Sequence, residues 1–183
     1  MKAMKTIVTT SIMALMLSGC QTAHQTTSAQ AEAPSQPRII NLIGASGQTV
    51  GTAKLTEVPE GVRLEVQVSG LKPGLHGLHF HEKALCEGPT FDSSGAHLNP
   101  TQKQHGFNNP KGYHAGDLPN LVVDAQGNGK FDAVSKSVVL QPDKPNSLLK
   151  PGGTSIIIHE MEDDYKTDPS GNSGKRIACG AVK

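Results

Sequence analysis

The chain has no tryptophan, two tyrosines and four phenylalanines among 183 residues, so a packed interior must rest on valine, isoleucine and leucine. Seventeen basic and sixteen acidic residues leave a formal charge of +1. No basic run occurs, which argues against nucleic acid as a partner. Cysteine is scarce, at three residues, and none forms a Cys-x-x-Cys pair, which weakens a reading of the thiols as metal ligands. No segment carries the period of a convincing helix. The apolar run Ile7 to Leu17, which carries no charged residue, is too short to span a bilayer as a mature helix.

That run follows Lys2 and Lys5 and leads into Leu17-Ser18-Gly19-Cys20, the pattern of a secretory signal over residues 1–19. The ending resembles a bacterial lipobox, which implies cleavage before Cys20 and lipidation of that cysteine. An ordinary secretory signal with a chance cysteine is the competing reading. With two or more acyl chains the mature protein is expected to stay on a bacterial membrane surface, on the extracytoplasmic or periplasmic side, because a single chain anchors only marginally. Loss of Lys2 and Lys5 takes the formal charge from +1 to −1. Residues 20–37 are Gln, Thr, Ser, Ala and Pro with almost nothing to bury, the composition of a disordered tether. Residues 38–183 have the length of one domain.

If Cys20 carries lipid, Cys86 and Cys179 are an even pair in an oxidising compartment, and a disulfide is the economical reading. On the chain-entropy model so long a loop contributes on the order of 4 to 5 kcal/mol. Two free thiols serving as metal ligands are the weaker alternative.

The domain reads as strand and loop. Val62 to Val68 alternates cleanly, Ala53 to Val58 more weakly, and Pro59-Glu60-Gly61 between them is a turn. Arg38 to Ile43, Gly74 to Glu82, Asn120 to Asp124, Lys130 to Val134, Thr154 to Glu160 and Arg176 to Val182 complete about eight strands, so the expected class is an all-β sandwich or flattened barrel. Residues 82–118 and 161–175 are long Gly/Pro/Asn/Asp-rich connections, and loops of that length in a compact domain are usually functional.

Eight histidines are present. His24 lies in the tether, and the other seven fall in one strand, one loop and one strand end. In Gly74 to Glu82, alternation puts His79 and His81 on one face, half of a transition-metal site. Alone, His-x-His is more often an exposed strand edge. His97, His105, His114 and Asp117 in the first long loop are a plausible closed tetrahedral zinc set, or else four solvated polar residues. His159 ends the apolar run Ser155-Ile156-Ile157-Ile158, where an unpaired imidazole is costly, and by itself reads as a satisfied core histidine. Random surface histidines would not cluster in this way.

The motifs His79-Phe80-His81-Glu82, Gly95-Ala96-His97, His114-Ala115-Gly116-Asp117-Leu118-Pro119-Asn120, His159-Glu160 with Asp163-Asp164, and Gly171-Asn172-Ser173-Gly174 through Arg176-Ile177-Ala178-Cys179-Gly180 together resemble those of the copper-zinc superoxide dismutases. The resemblance runs from about Arg38 to Val182, and the lipid signal, tether and second loop are most similar to bacterial envelope members. It implies an eight-stranded Greek-key β-barrel with two long functional loops. It implies copper on His79, His81, His97 and His159, and zinc on His97, His105, His114 and Asp117, so that His97 bridges both metals. Cys86 and Cys179 match the family's disulfide, Asp163 the carboxylate joining His79 to His105, Arg176 the arginine beside copper, and His76 a non-ligand histidine bonded to backbone behind the site. Phe80 and Leu98 are mild departures that leave every ligand position intact.

The implied activity is conversion of superoxide to dioxygen and hydrogen peroxide, with copper as the redox centre and His97 as proton donor. Lys166 and Lys175 flank the second loop where cations would steer superoxide inward, although exposed lysines are usually just solvated. The alternative is a non-catalytic envelope copper/zinc-binding protein on the same fold. Family members pair differently in different lineages, so a homodimer is compatible with the sequence and no interface is specified by it.

Overall fold

The structure is a computed structural model that describes residues 36–183. The expected signal, Cys20 and most of the tether lie outside the described residues.

Strand β1 (Arg38–Gly44) pairs with β2 (Thr49–Val58), which pairs with β3 (Gly61–Val68), all antiparallel. In β3 the alternation expected from sequence is realised: Val62, Leu64, Val66 and Val68 are buried while Arg63 and Gln67 are exposed. The chain continues through β4 (Gly74–His76), β5 (Leu78–His81), β6 (Leu121–Val123), β7 (Gly129–Ser135), β8 (Thr154–His159) and β9 (Arg176–Val182). Sheet order is β4-β6-β7-β3-β2-β1-β9-β8-β5, a nearly closed antiparallel barrel with the crossovers of a Greek key.

Nine strands stand where about eight were expected. Gly74 to His81 is one extended segment by sequence, but it changes partners at Gly77: β4 pairs with β6 and β5 with β8. Gly77 bonds outside both ladders, its N–H donating to Met161 O at 2.8 Å and its carbonyl accepting His159 N–H at 2.8 Å. The two end strands of the sheet are therefore successive parts of one segment, which bridges the gap between them.

Leu78 and Phe80 of β5 and Ile156 and Ile158 of β8 enter the main core with Leu42, Leu55, Leu64 and Leu121. The opposite face of these two strands is covered too, so every residue of β5 and β8 is buried. There Ile157 packs with Phe91 and Cys179 beneath the first long loop. The Cys86–Cys179 disulfide is formed, joining residues 93 apart in sequence across a Cα separation of 5.6 Å, and it ties that loop to β9. A third long connection, residues 136–153, is not conspicuous in the sequence. Val138, Leu140 and Leu148 from it plug the core.

Candidate metal centre

The covered outer face of β5 carries His79 and His81, with His159 beside them at the end of β8. The loop after β5 adds His97, whose ring lies 4.0 Å from that of His79 and 4.9 Å from that of His81, centroid to centroid. These four histidines are buried, at 0, 1, 6 and 3% exposure for His79, His81, His97 and His159.

Each of the four rings has one nitrogen bonded outward. His79 Nε2–H donates to Asp163 Oδ2 at 2.7 Å, His81 Nδ1–H to Gly95 O at 2.9 Å and His159 Nδ1–H to Gly174 O at 3.1 Å, while His97 Nδ1 lies 3.0 Å from Asp117 Oδ1. The other nitrogen of each, His79 Nδ1 and Nε2 of His81, His97 and His159, is buried with no hydrogen-bond partner. Buried polar atoms without partners are costly. Four residues that can each bring one ligand atom within 4.8 Å of the others, little more than twice a metal–nitrogen bond of about 2.0–2.1 Å, fit an imidazole-bound transition metal. For His79, His81 and His159 the outward bonds also select the tautomer that leaves the inner nitrogen with its lone pair.

His97 belongs to a second set. Asp117 Oδ1 lies 3.0 Å from His97 Nδ1, 3.0 Å from His105 Nδ1 and 3.3 Å from His114 Nδ1, and the last is 3.3 Å from His97 Nδ1. Ligands about 2.0–2.1 Å from a tetrahedral ion are separated by roughly 3.3 Å, so these spacings are the edges expected around zinc. Asp117 Oδ2 is taken by the N–H groups of Gly106 at 2.9 Å and His114 at 3.1 Å, which turns Oδ1 inward.

Asp163, fully buried, connects the two sets. Its Oδ1 accepts from His105 Nε2–H at 2.9 Å and from Tyr165 N–H at 2.7 Å. Asn120 holds the backbone of Asp163 on both sides, Nδ2 donating to Asp163 O and Oδ1 accepting Asp163 N–H, each at 2.9 Å. Gly171 approaches so closely that a Cβ there would lie 1.9 Å from Asp163 Oδ1, and its φ of +65° is one that glycine adopts without strain. The folded loops bring Asn120 to Asp163 from 43 residues away and to the hydroxyl of Tyr165, which accepts Asn120 N–H at 2.6 Å, contacts that the sequence does not show.

Burial, with the charge of His97 second, holds His79 and His81 well below the usual imidazole range, and burial pulls His159 down to about 4. Burial also lowers His97 against the pull of Asp117. At His105 burial opposes protonation, but hydrogen bonds with Asp117 and Asp163 prevail and push it up to about 9. Burial raises both carboxyls, and the histidine hydrogen bonds overcome it and hold Asp117 and Asp163 below the usual carboxylate range.

Arg176 starts β9 opposite His159 and is partly buried, which lowers its pKa. Nη1–H groups donate to Phe91 O at 2.8 Å and Ser94 Oγ at 3.0 Å, Nη2–H donates to Gly95 O at 2.8 Å, and Asp92 Oδ1 lies 4.0 Å from Nη1. His76 is buried behind His159, Nδ1 at 2.7 Å from His159 O and Nε2 at 2.8 Å from Lys72 O. Lys166 and Lys175 are exposed.

A β-barrel carrying two adjacent histidine-rich sets that share one imidazole is a dinuclear metalloprotein. Residues 49–182 match the family model described as copper/zinc superoxide dismutase. A copper-zinc superoxide dismutase of Aquifex aeolicus (strain VF5) is 45% identical over 143 residues, which cover 78% of this chain and 84% of that relative. One from Caulobacter vibrioides is 41% identical over 140 residues, 75% of this chain and 80% of that relative. The crystal structure of a superoxide dismutase-like protein from Bacillus subtilis superposes with a TM-score of 0.78 at 40% identity, covering 82% of this chain and all of that one. The chain belongs to the copper/zinc superoxide dismutase family, whose cofactors are copper and zinc.

Proposed function

We propose that this chain dismutates superoxide, with copper held by His79, His81, His97 and His159, zinc held by His97, His105, His114 and Asp117, and Arg176 guiding the anion. The observation that carries this reading is the convergence of four buried, partnerless ring nitrogens on a point beside a second set drawn together at tetrahedral spacings.

Copper supplies the one-electron couple that superoxide first reduces and then reoxidises, and zinc adds fixed charge without redox chemistry. The residues do the rest. Arg176, anchored through three hydrogen bonds, presents a cation that keeps its charge at neutral pH and donors that orient a small anion. His97 Nδ1 stays with His105, His114 and Asp117, while Nε2 takes a proton and passes it to the departing peroxide. Asp163 keeps His79 and His105 turned correctly by accepting the outer N–H of each. Metal storage alone has no use for an arginine held in this manner, which favours the enzyme over a copper/zinc buffer.

Residues 38–183 are the catalytic domain in this reading, residues 1–19 an export signal, and Cys20 the lipidated start of a tether over residues 20–37 that holds the enzyme at a bacterial membrane surface. The motif Leu17-Ser18-Gly19-Cys20 supports the anchor. Sedimentation of the lipid-free domain decides between monomer and homodimer.

The test of function is product stoichiometry. The copper- and zinc-loaded domain should convert two superoxide ions and two protons to one dioxygen and one hydrogen peroxide, with no added reductant and far faster than superoxide disproportionates in buffer alone. Superoxide consumed without that ratio, or consumed no faster than in buffer alone at full metal occupancy, contradicts the reading.

A further inference from the structure

A guanidinium has five N–H donors in a fixed fork. Arg176 Nη1 uses both of its own, on Phe91 O and Ser94 Oγ, and Nη2 uses one on Gly95 O. Among the described residues, Nε–H and the second Nη2–H have no protein acceptor. Nε–H and one Nη2–H form the edge of a guanidinium that can grip two oxygens of an anion at once.

We propose that Ser94 is a positioning residue that determines which edge of Arg176 faces the substrate. Ser94 is fully buried, and its hydroxyl hydrogen is committed to Phe91 O at 2.8 Å. That leaves two lone pairs. One accepts Arg176 Nη1–H at 3.0 Å, and the other faces His81 Nδ1 at 3.4 Å, beside that ring's main bond to Gly95 O. Phe91 O and Gly95 O by themselves each take one hydrogen from a different Nη and leave a third inner donor unsatisfied. The Ser94 oxygen satisfies it, so swinging the guanidinium about Cγ–Cδ or Cδ–Nε, which would present another edge, breaks a complete set rather than a partial one. Phe91, Ser94 and Gly95 belong to one short turn around the 3₁₀ segment Asp92–Ser94, seated on the disulfide through Phe91 against Cys179. The same turn thus fixes the arginine and, through Gly95 O and Ser94 Oγ, the ring of His81.

A purely local role is the competing explanation, since a serine bonded to the carbonyl three residues back is common in such turns. The proposal rests on the dismutase reading, and its test is chosen to be separable from it. In the metal-free full-length domain, 38–183, ¹⁵N NMR should resolve Arg176 Nη1 and Nη2 as distinct, slowly exchanging signals. In Ser94→Ala they should merge at the same temperature. In the copper- and zinc-loaded proteins, Ser94→Ala should bind inorganic phosphate about fivefold more weakly, the effect of one hydrogen bond. Its dismutation rate should fall by a similar factor at unchanged metal content. Distinct Nη signals in Ser94→Ala together with unchanged phosphate affinity would overturn the proposal. Absence of dismutation in the wild-type protein would contradict the functional reading while the NMR comparison still decides the role of Ser94.

Discussion

His79 and His105, one on a barrel strand and the other in the loop that covers it, donate to opposite oxygens of a single buried carboxylate, Asp163, at 2.7 and 2.9 Å. One residue of the second long loop therefore orients a ring from each ligand set. Two rigid rings held by one carboxylate couple the two sites mechanically.

Replacing that carboxylate tests the coupling. In Asp163→Asn one of the two rings faces an amide N–H₂ in place of an acceptor, and affinity for metal should fall by about 10- to 100-fold. Competition titrations against a chelator measure this for copper and zinc separately. Undiminished affinity for both would remove Asp163 from the support of the site.

Arg176→Ala should keep both metals, because no metal set includes it. Dismutation should slow by about tenfold and become less sensitive to salt, since a fixed cation near the target raises the encounter rate of an anion. Pulse radiolysis at several ionic strengths reads both effects.

His159→Ala removes one of the four partnerless nitrogens and leaves His97, His105, His114 and Asp117 in place. Metal analysis of the purified variant should show copper lost in preference to zinc. Equal loss of the two would mean that the sets are not separable.

The metal-free protein should be most stable near pH 6.5, the ordinary value of an imidazole. His159 is held down to about 4 in the fold, so the unfolded chain takes up the proton first and stability falls as the pH drops from that optimum towards 4. Asp117 and Asp163, both lowered, deepen the loss at more acid pH. His105 is raised to about 9, so its contribution is full below the optimum and is lost as the pH rises towards 9. Urea unfolding on either side of neutrality checks both slopes.

Strand alternation was enough to place His79 and His81 on one face, because a period of two is a local property of the backbone. The clustering of seven histidines was equally legible. The division of Gly74 to His81 into two strands was not, since it depends on which distant strands lie on each side of Gly77. Nor were the roles of Ser94, Asn120 and Tyr165 legible. Their partners are 82, 43 and 45 positions away in Arg176, Asp163 and Asn120, and only closure of both loops over the barrel creates those contacts. The connection over residues 136–153 hid its role for the same reason, its apolar residues being spaced by no regular period.

Superoxide dismutation followed while copper is titrated into the zinc-loaded domain tests the shared site most directly. Turnover should rise in proportion to copper and stop rising at about one copper per chain, the capacity of a single four-imidazole set. A domain that takes up copper to that ratio and still leaves superoxide untouched would contradict the assignment of these residues to a dismutase.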